Sequence, residues 1–127
     1  MAKWVSSNVL DSGLNYIKTT ATSMLLIKAY TAADSYATVI SNSVGAAAMV
    51  NGDFTLSSSS SNRVLTTASG KTTTASAGSG ATPNLHIAFT DGSANVIWVT
   101  DETSDQVITS GNTINFPALT YTSNQPT

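Results

Sequence analysis

The chain has one histidine, His86, and no cysteine. Acid–base and nucleophilic catalysis usually recruit His, Cys, Lys or paired carboxylates held in a cleft. Any such chemistry would therefore be built around one imidazole. His86 stands in the middle of "NLHIAFT", where alternation puts Leu85, Ile87 and Phe89 on one face and His86, Ala88 and Thr90 on the other. That setting reads as a strand histidine hydrogen-bonded on one sheet face. Ser and Asp are plentiful, but no "GxSxG" elbow is present to place a nucleophile.

"DETSD", residues 101–105, gathers Asp101, Glu102 and Asp105 within five positions. Calcium prefers such oxygen ligands, yet the ligand order of an EF-hand loop is missing, and the stretch reads as a solvated turn. "GSGATPN", residues 78–84, lacks the Gly-Lys-Ser/Thr ending and the following helix of a phosphate-binding loop. No catalytic residue, metal site or cofactor is assigned, and the chain is read as non-enzymatic.

The elements that hold these residues read mostly as strands. One helix is expected over about residues 8–20, where Leu10, Leu14 and Ile17 recur at helical spacing after Ser7 or Asn8 as N-cap, with Asp11 in the first turn. "SMLLIKAY" suits a buried strand. Residues 31–48 have no firm period and read as a long loop with some strand in "YATVI". "MVNGDFTLS" alternates, with Val50, Phe54 and Leu56 on one side. The serines 57–61 read as a loop tip, "RVLTT" as the next strand, and "KTTTASAGSG" as a strand edge running into a glycine turn. "NLHIAFT" and "NVIWVT" across "DGSAN" form a hairpin, with Trp98 packed between sheets. A second hairpin is expected between "DQVIT" and "TINFP" across Ser110-Gly111-Asn112. Beyond it the inward phase runs Ile114, Phe116, then Leu119 and Tyr121, with Pro117 at the shift. A proline cannot donate to a ladder, so this uncharged strand is an edge or is bulged there. Seven to nine short strands after a single helix argue one β-sandwich domain over residues 1–127.

Composition narrows the function classes. Charged residues are only 9% of the chain, against a usual quarter, and Ser and Thr take their place. A hydroxyl-rich surface costs less to desolvate than an ionic one, so a partner can cover it. Residues 1–71 hold all five bases (Lys3, Lys18, Lys28, Arg63, Lys71) and three acids. Residues 72–127 hold four acids and no base. No basic stripe interleaved with aromatics is present, which argues against nucleic acid as partner. "MLLI" and "AAAMV" are too short to span a bilayer, and the opening "MAKWVSSNVLDSG" has no apolar core of a secretory signal. A soluble product made in the cytoplasm is expected.

The order of four stretches adds a resemblance. "KWVSSNVLDSGLNYIK", a central "DFTL", "HIAFTDG" and a closing "VTDETSDQVITSGNTINFPAL" resemble small virion proteins encoded in the head modules of tailed bacteriophages. The resemblance implies a capsid cement or decoration protein with a jelly-roll-like antiparallel β-sandwich, seated on the exterior of the virion. Its partner would be the major capsid protein, and no catalytic residue is carried over from the family. On the residues alone, Lys3 and Trp4 in the leading segment and Phe116 and Tyr121 near the uncharged edge are the candidate contacts to the capsid or to further copies of a homo-oligomer. Large aromatics often anchor such surfaces. Ordinary core packing is the competing role for the three aromatics. A carbohydrate-binding module or a head or tail fibre component would share the sandwich but needs Trp or Tyr on one flat exposed face. A hydrolase would need a pH–rate profile that depends on His86.

Overall fold

A computed structural model describes residues 2–127 and is mainly β, with antiparallel ladders throughout. Helix α1, Ser7–Thr20, leads into β1, Ser23–Ile27, the short helix α2, Tyr36–Ser41, and β2, Ser43–Ala48. A 3-10 turn, Asn51–Asp53, precedes β3, Phe54–Ser59, and then come β4, Asn62–Thr67, and β5, Lys71–Thr74. The chain closes with β6, His86–Thr90, β7, Val96–Asp101, β8, Thr113–Phe116, and β9, Thr120–Ser123. The ladders form a four-stranded sheet β2-β1-β6-β7, a three-stranded sheet β3-β4-β9 and a two-stranded pair β5-β8. This is an antiparallel β-sandwich architecture. The ladders do not by themselves trace the two four-stranded sheets of a jelly roll.

Helix α1 forms where the spacing predicted it. Leu10, Leu14 and Ile17 are buried, and the last two meet Phe54, Leu65 and Phe89 in the main core. The N-cap is Ser6 rather than Ser7 or Asn8, and no side chain caps the helix. Asp11 lies beyond the first turn and pairs with Arg63 on β4 at 2.7 Å.

β1 explains why "MLLI" is apolar on both faces. Met24 and Leu26 enter the main core, whereas Leu25 and Ile27 join Val39 and Ala88 in a second cluster. Val39 comes from α2, which overturns the reading of "YATVI" as strand. The Ser35 hydroxyl accepts from the Thr38 N–H at 3.2 Å, a local N-cap that starts a helix despite the three β-branched residues Thr38, Val39 and Ile40. Pairing of β1 with β6 runs Met24–Phe89 and Leu26–Ile87, so one face of both central strands faces the β3-β4-β9 sheet. Phe54 and Phe89 meet there with ring centroids 6.0 Å apart.

Two other expectations change. Val50 is exposed, not inward with Phe54. Its N–H is taken by the Asp53 carboxylate at 2.9 Å as the chain enters the 3-10 turn, which breaks the alternation. The serine run is half strand: Ser57, Ser58 and Ser59 pair with Val64, Arg63 and Asn62, leaving Ser60 (φ 55°) and Ser61 as the tip.

The second expected hairpin does not form. Residues 105–109 build no ladder, because Ile108 exchanges hydrogen bonds with Ser79 (its N–H to the Ser79 hydroxyl at 2.8 Å, its carbonyl from the Ser79 N–H at 2.9 Å). Gly111 and Asn112 are fastened to Ala75, so β8 pairs with β5 from Lys71–Phe116 to Thr74–Thr113. Pro117 follows β8 directly and ends it, as its missing N–H requires. Gly45 on β2 lets the β5–β8 pair approach closely: a Cβ there would sit 2.7 Å from Ile114 Cδ1 and 3.2 Å from Thr73 Cγ2.

Candidate functional site

His86 opens β6 and is partly covered by Tyr30, with ring centroids 5.6 Å apart. Its Nδ1 donates to the Asn84 carbonyl at 3.1 Å, and Nε2 lies 3.7 Å from the Asp101 carboxylate across the ladder. It stands at the start of the strand rather than in its middle, because Leu85 is outside the ladder, and it is held by the Asn84 carbonyl. A cleft of about 200 Å³ is lined by Leu85 and Ile87 on either side of it in the chain, but not by His86 itself. Its floor includes Leu26, Leu85, Ile87 and Phe116, and its mouth Glu102 and Asn115.

The acidic turn is tied up locally. Asp105 accepts from the Leu85 N–H at 2.7 Å and Glu102 from the Ser104 N–H at 3.0 Å. No group of three or more His, Asp or Glu side chains poised for a metal occurs among the described residues. Asp91, in the β6–β7 turn, accepts from the N–H groups of Asn95, Ala94 and Ser93 and from the Asn95 amide. Those donors hold its carboxyl well below the usual carboxylate range. At the start of β3, the Lys71 ammonium at 2.9 Å and the Val50 N–H lower the Asp53 carboxyl in the same sense.

Four of the five bases are likewise engaged inside the molecule, and Lys28 is exposed. Lys18 donates to the Phe54 carbonyl at 2.6 Å and to the Asn51 carbonyl at 3.1 Å, Arg63 serves Asp11 and Ser58, and Lys71 serves Asp53. Among the described residues, the large apolar side chains exposed on the surface are Trp4, Val9, Tyr16, Ile40, Val50, Val107 and Tyr121. Trp4 is 73% exposed and Tyr121 43%. The leading segment is anchored just behind Trp4: Val5 N–H donates to the Gln125 side chain at 2.9 Å, and the Gln125 amide donates back to the Val5 and Ser61 carbonyls. Lys3 Nζ reaches the Thr127 carbonyl at 2.6 Å. The contact candidates thus divide. Lys3 and Trp4 lie together on a segment fixed to the end of the chain, Tyr121 stands apart on β9, and Phe116 drops out as a contact. At 3% exposure Phe116 belongs to the core, because β8 turns it and Ile114 inward.

Trp98 is half-buried against the core, as the sequence placed it. Its ring stacks on Phe89, and Tyr121 meets it edge-on at 5.5 Å. That contact brings β7 and β9, each the last strand of its sheet, to the same side of the molecule. Sequence reading missed this junction, since the two residues are far apart in the chain and no local pattern links them. No family model matches the chain, and no curated protein and no solved structure matches it either.

Proposed function

We propose that the chain is a non-enzymatic structural protein of a phage virion, which binds the exterior of the major capsid lattice as a homo-oligomer and stabilises the head. The observation that supports this best is the division of labour on the surface. Four of the five bases bind acids or carbonyls within the fold, Lys28 being the exception among the described residues, while Trp4 and Tyr121 are exposed. A partner docking there displaces water from hydroxyls and rings rather than from unpaired ions, which keeps the desolvation cost low.

Such a protein acts through buried area. A specific interface of standard size covers about 1,600 Å² in total. At roughly 25 cal/mol per Å² of apolar surface the gross gain is large, and association entropy takes back much of it. Bridging several capsid subunits at once recovers the difference by raising effective concentration. Trp4 and Lys3 would form the anchor, and Tyr121 a second contact.

The decisive experiment mixes the purified protein with bare, expanded capsids and measures co-sedimentation. Saturation at a stoichiometry related to the capsid symmetry is expected. No binding to any capsid would remove the proposal.

A further inference from the structure

The 3-10 turn at the entry to β3 holds a reactive pair. Of the ten asparagines in the chain, Asn51 is the one followed by glycine. The amide carbon of an asparagine side chain can close a five-membered ring with the nitrogen of the next residue, and glycine leaves that nitrogen without a Cβ to shield it. Both Asn51 and Gly52 are exposed. The Asp53 N–H is bonded to the Val50 carbonyl, but no group among the described residues accepts from the Gly52 N–H, in keeping with the first turn of a helix. The Asn51 side-chain amide is lightly held, donating to the Lys18 carbonyl at 3.4 Å. The backbone oxygen of the Asn51–Gly52 peptide is held more firmly. It accepts the Lys18 ammonium at 3.1 Å, and the Phe54 carbonyl keeps that ammonium in place at 2.6 Å. A cation bonded to a peptide oxygen draws electron density from the peptide nitrogen and makes its N–H more acidic.

We infer that Asn51–Gly52 is a self-modification site, at which the folded chain converts Asn51 to isoaspartate with Lys18 as the positioning residue. The Gly52 nitrogen gives up its proton to solvent base and attacks the side-chain amide carbon of Asn51. The carbon–nitrogen bond of that amide breaks, its nitrogen takes up a proton from water, and ammonia departs from a five-membered imide. Water then adds to an imide carbonyl. Lys18 polarises the one that was the Asn51 backbone carbonyl, as an oxyanion donor would. The bond from that carbon to the Gly52 nitrogen breaks, the nitrogen regains a proton as the new amide, and the carbon is left as a carboxylate. No oxidant or reductant takes part. The main chain now runs through the former side chain and is one methylene longer, and the freed carboxylate lies where Lys18 already donates. Ring closure meets no obstruction at Gly52, since a Cβ built there would find no heavy atom within 4 Å. The product gains an ion pair with Lys18 and loses the backbone carbonyl that receives the Phe54 N–H, so the start of β3 loosens.

The test incubates the full folded chain in warm, mildly alkaline buffer and follows residues 51–53 by peptide mapping with mass spectrometry. Isoaspartate is expected at position 51 in excess over aspartate, with ammonia released and the aged chain accepted as substrate by an isoaspartyl methyltransferase. Gly52→Ala, for which the fold has space, is expected to slow the loss of Asn51 by at least tenfold. Lys18→Gln is expected to slow it by at least threefold in the folded chain and not at all in guanidinium chloride, where Lys18 is no longer held against the carbonyl. Circular dichroism establishes that each variant is folded. The parent chain supplies a second measurement that needs no variant: the ratio of isoaspartate to aspartate is expected to be higher in the folded chain than in denaturant. Asn51 that persists in the folded chain while converting in guanidinium chloride, a rate unmoved by Lys18→Gln in a folded variant, or one product ratio in both states would overturn the inference.

Discussion

Trp98 lies flat on Phe89, with ring centroids 4.8 Å apart and planes 10° from parallel, directly across the β6–β7 ladder. Phe89 in turn meets Phe54 of the facing sheet, so the pair relays the core out to the last strand. Truncating Trp98 removes the stack and opens the edge of the core. Trp98→Ala is expected to destabilise the fold by about 3 kcal/mol, the low end for a large aromatic because the ring is only half-buried. Chemical denaturation followed by far-UV circular dichroism measures it.

Trp4 behaves in the opposite way. It is exposed and packs on no core residue, so Trp4→Ala is expected to leave stability within about 0.5 kcal/mol of the parent. The same change is expected to weaken capsid co-sedimentation by tenfold or more, as for an interface anchor. Unchanged binding would show that Trp4 is not the anchor. The two tryptophans also separate by quenching: acrylamide should reach Trp4 freely and Trp98 poorly.

Gln125 clamps the leading segment through two carbonyls and one N–H. Gln125→Ala should free residues 2–5, seen as faster hydrogen exchange at the Val5 amide, and cost about 1–2 kcal/mol. If Trp4 acts only when held in place, capsid binding weakens too.

Gly45 is where β2 admits Ile114 and Thr73. Gly45→Ala adds a methyl group that buried Ile114 must yield to, and a loss of about 1–2 kcal/mol is expected from overpacking. Gly13, whose added Cβ would meet nothing, is the control. Gly13→Ala should stabilise α1 by about 0.5–1 kcal/mol through helix propensity.

Acid should weaken the fold through its lowered carboxylates. The folded-state values of Asp53 and Asp91 lie below their ordinary ones. Their contributions are therefore complete above the unfolded carboxylate value of about 3.9 and fade as pH falls toward the folded values. Melting temperature is expected to drop progressively below pH 4. Asp91→Asn and Asp53→Asn should each flatten that dependence.

The elements that depend on local pattern were readable from sequence. α1 followed from Leu10, Leu14 and Ile17, and the β6–β7 hairpin from the alternation of "NLHIAFT" and the apolar run of "NVIWVT" around a turn that Asp91 organises with three backbone N–H groups. What could not be read was decided by distant partners. β8 chose β5 over its neighbour because Ala75 secures Gly111 and Asn112, and Ile108 was drawn away by Ser79. "YATVI" has strand-forming residues, yet burying Val39 against Leu25, Ile27 and Ala88, with Ser35 as cap, favoured a helix. Among the contact residues, alternation already turned Phe116 inward, whereas the exposure of Trp4 and Tyr121 is a property of the assembled surface alone.

The pairing of Val5 with Gln125 and of Lys3 with Thr127 also bears on engineering. A peptide grafted beside Lys3 or Thr127 would emerge next to Trp4 and would cover that ring. A circularly permuted version avoids this: a short linker joins Thr127 to Lys3, which already touch, and new ends open at the Ser60–Ser61 tip, where exposed polar backbone tolerates a break. Cargo could then be carried without altering the native path of the Trp4 segment.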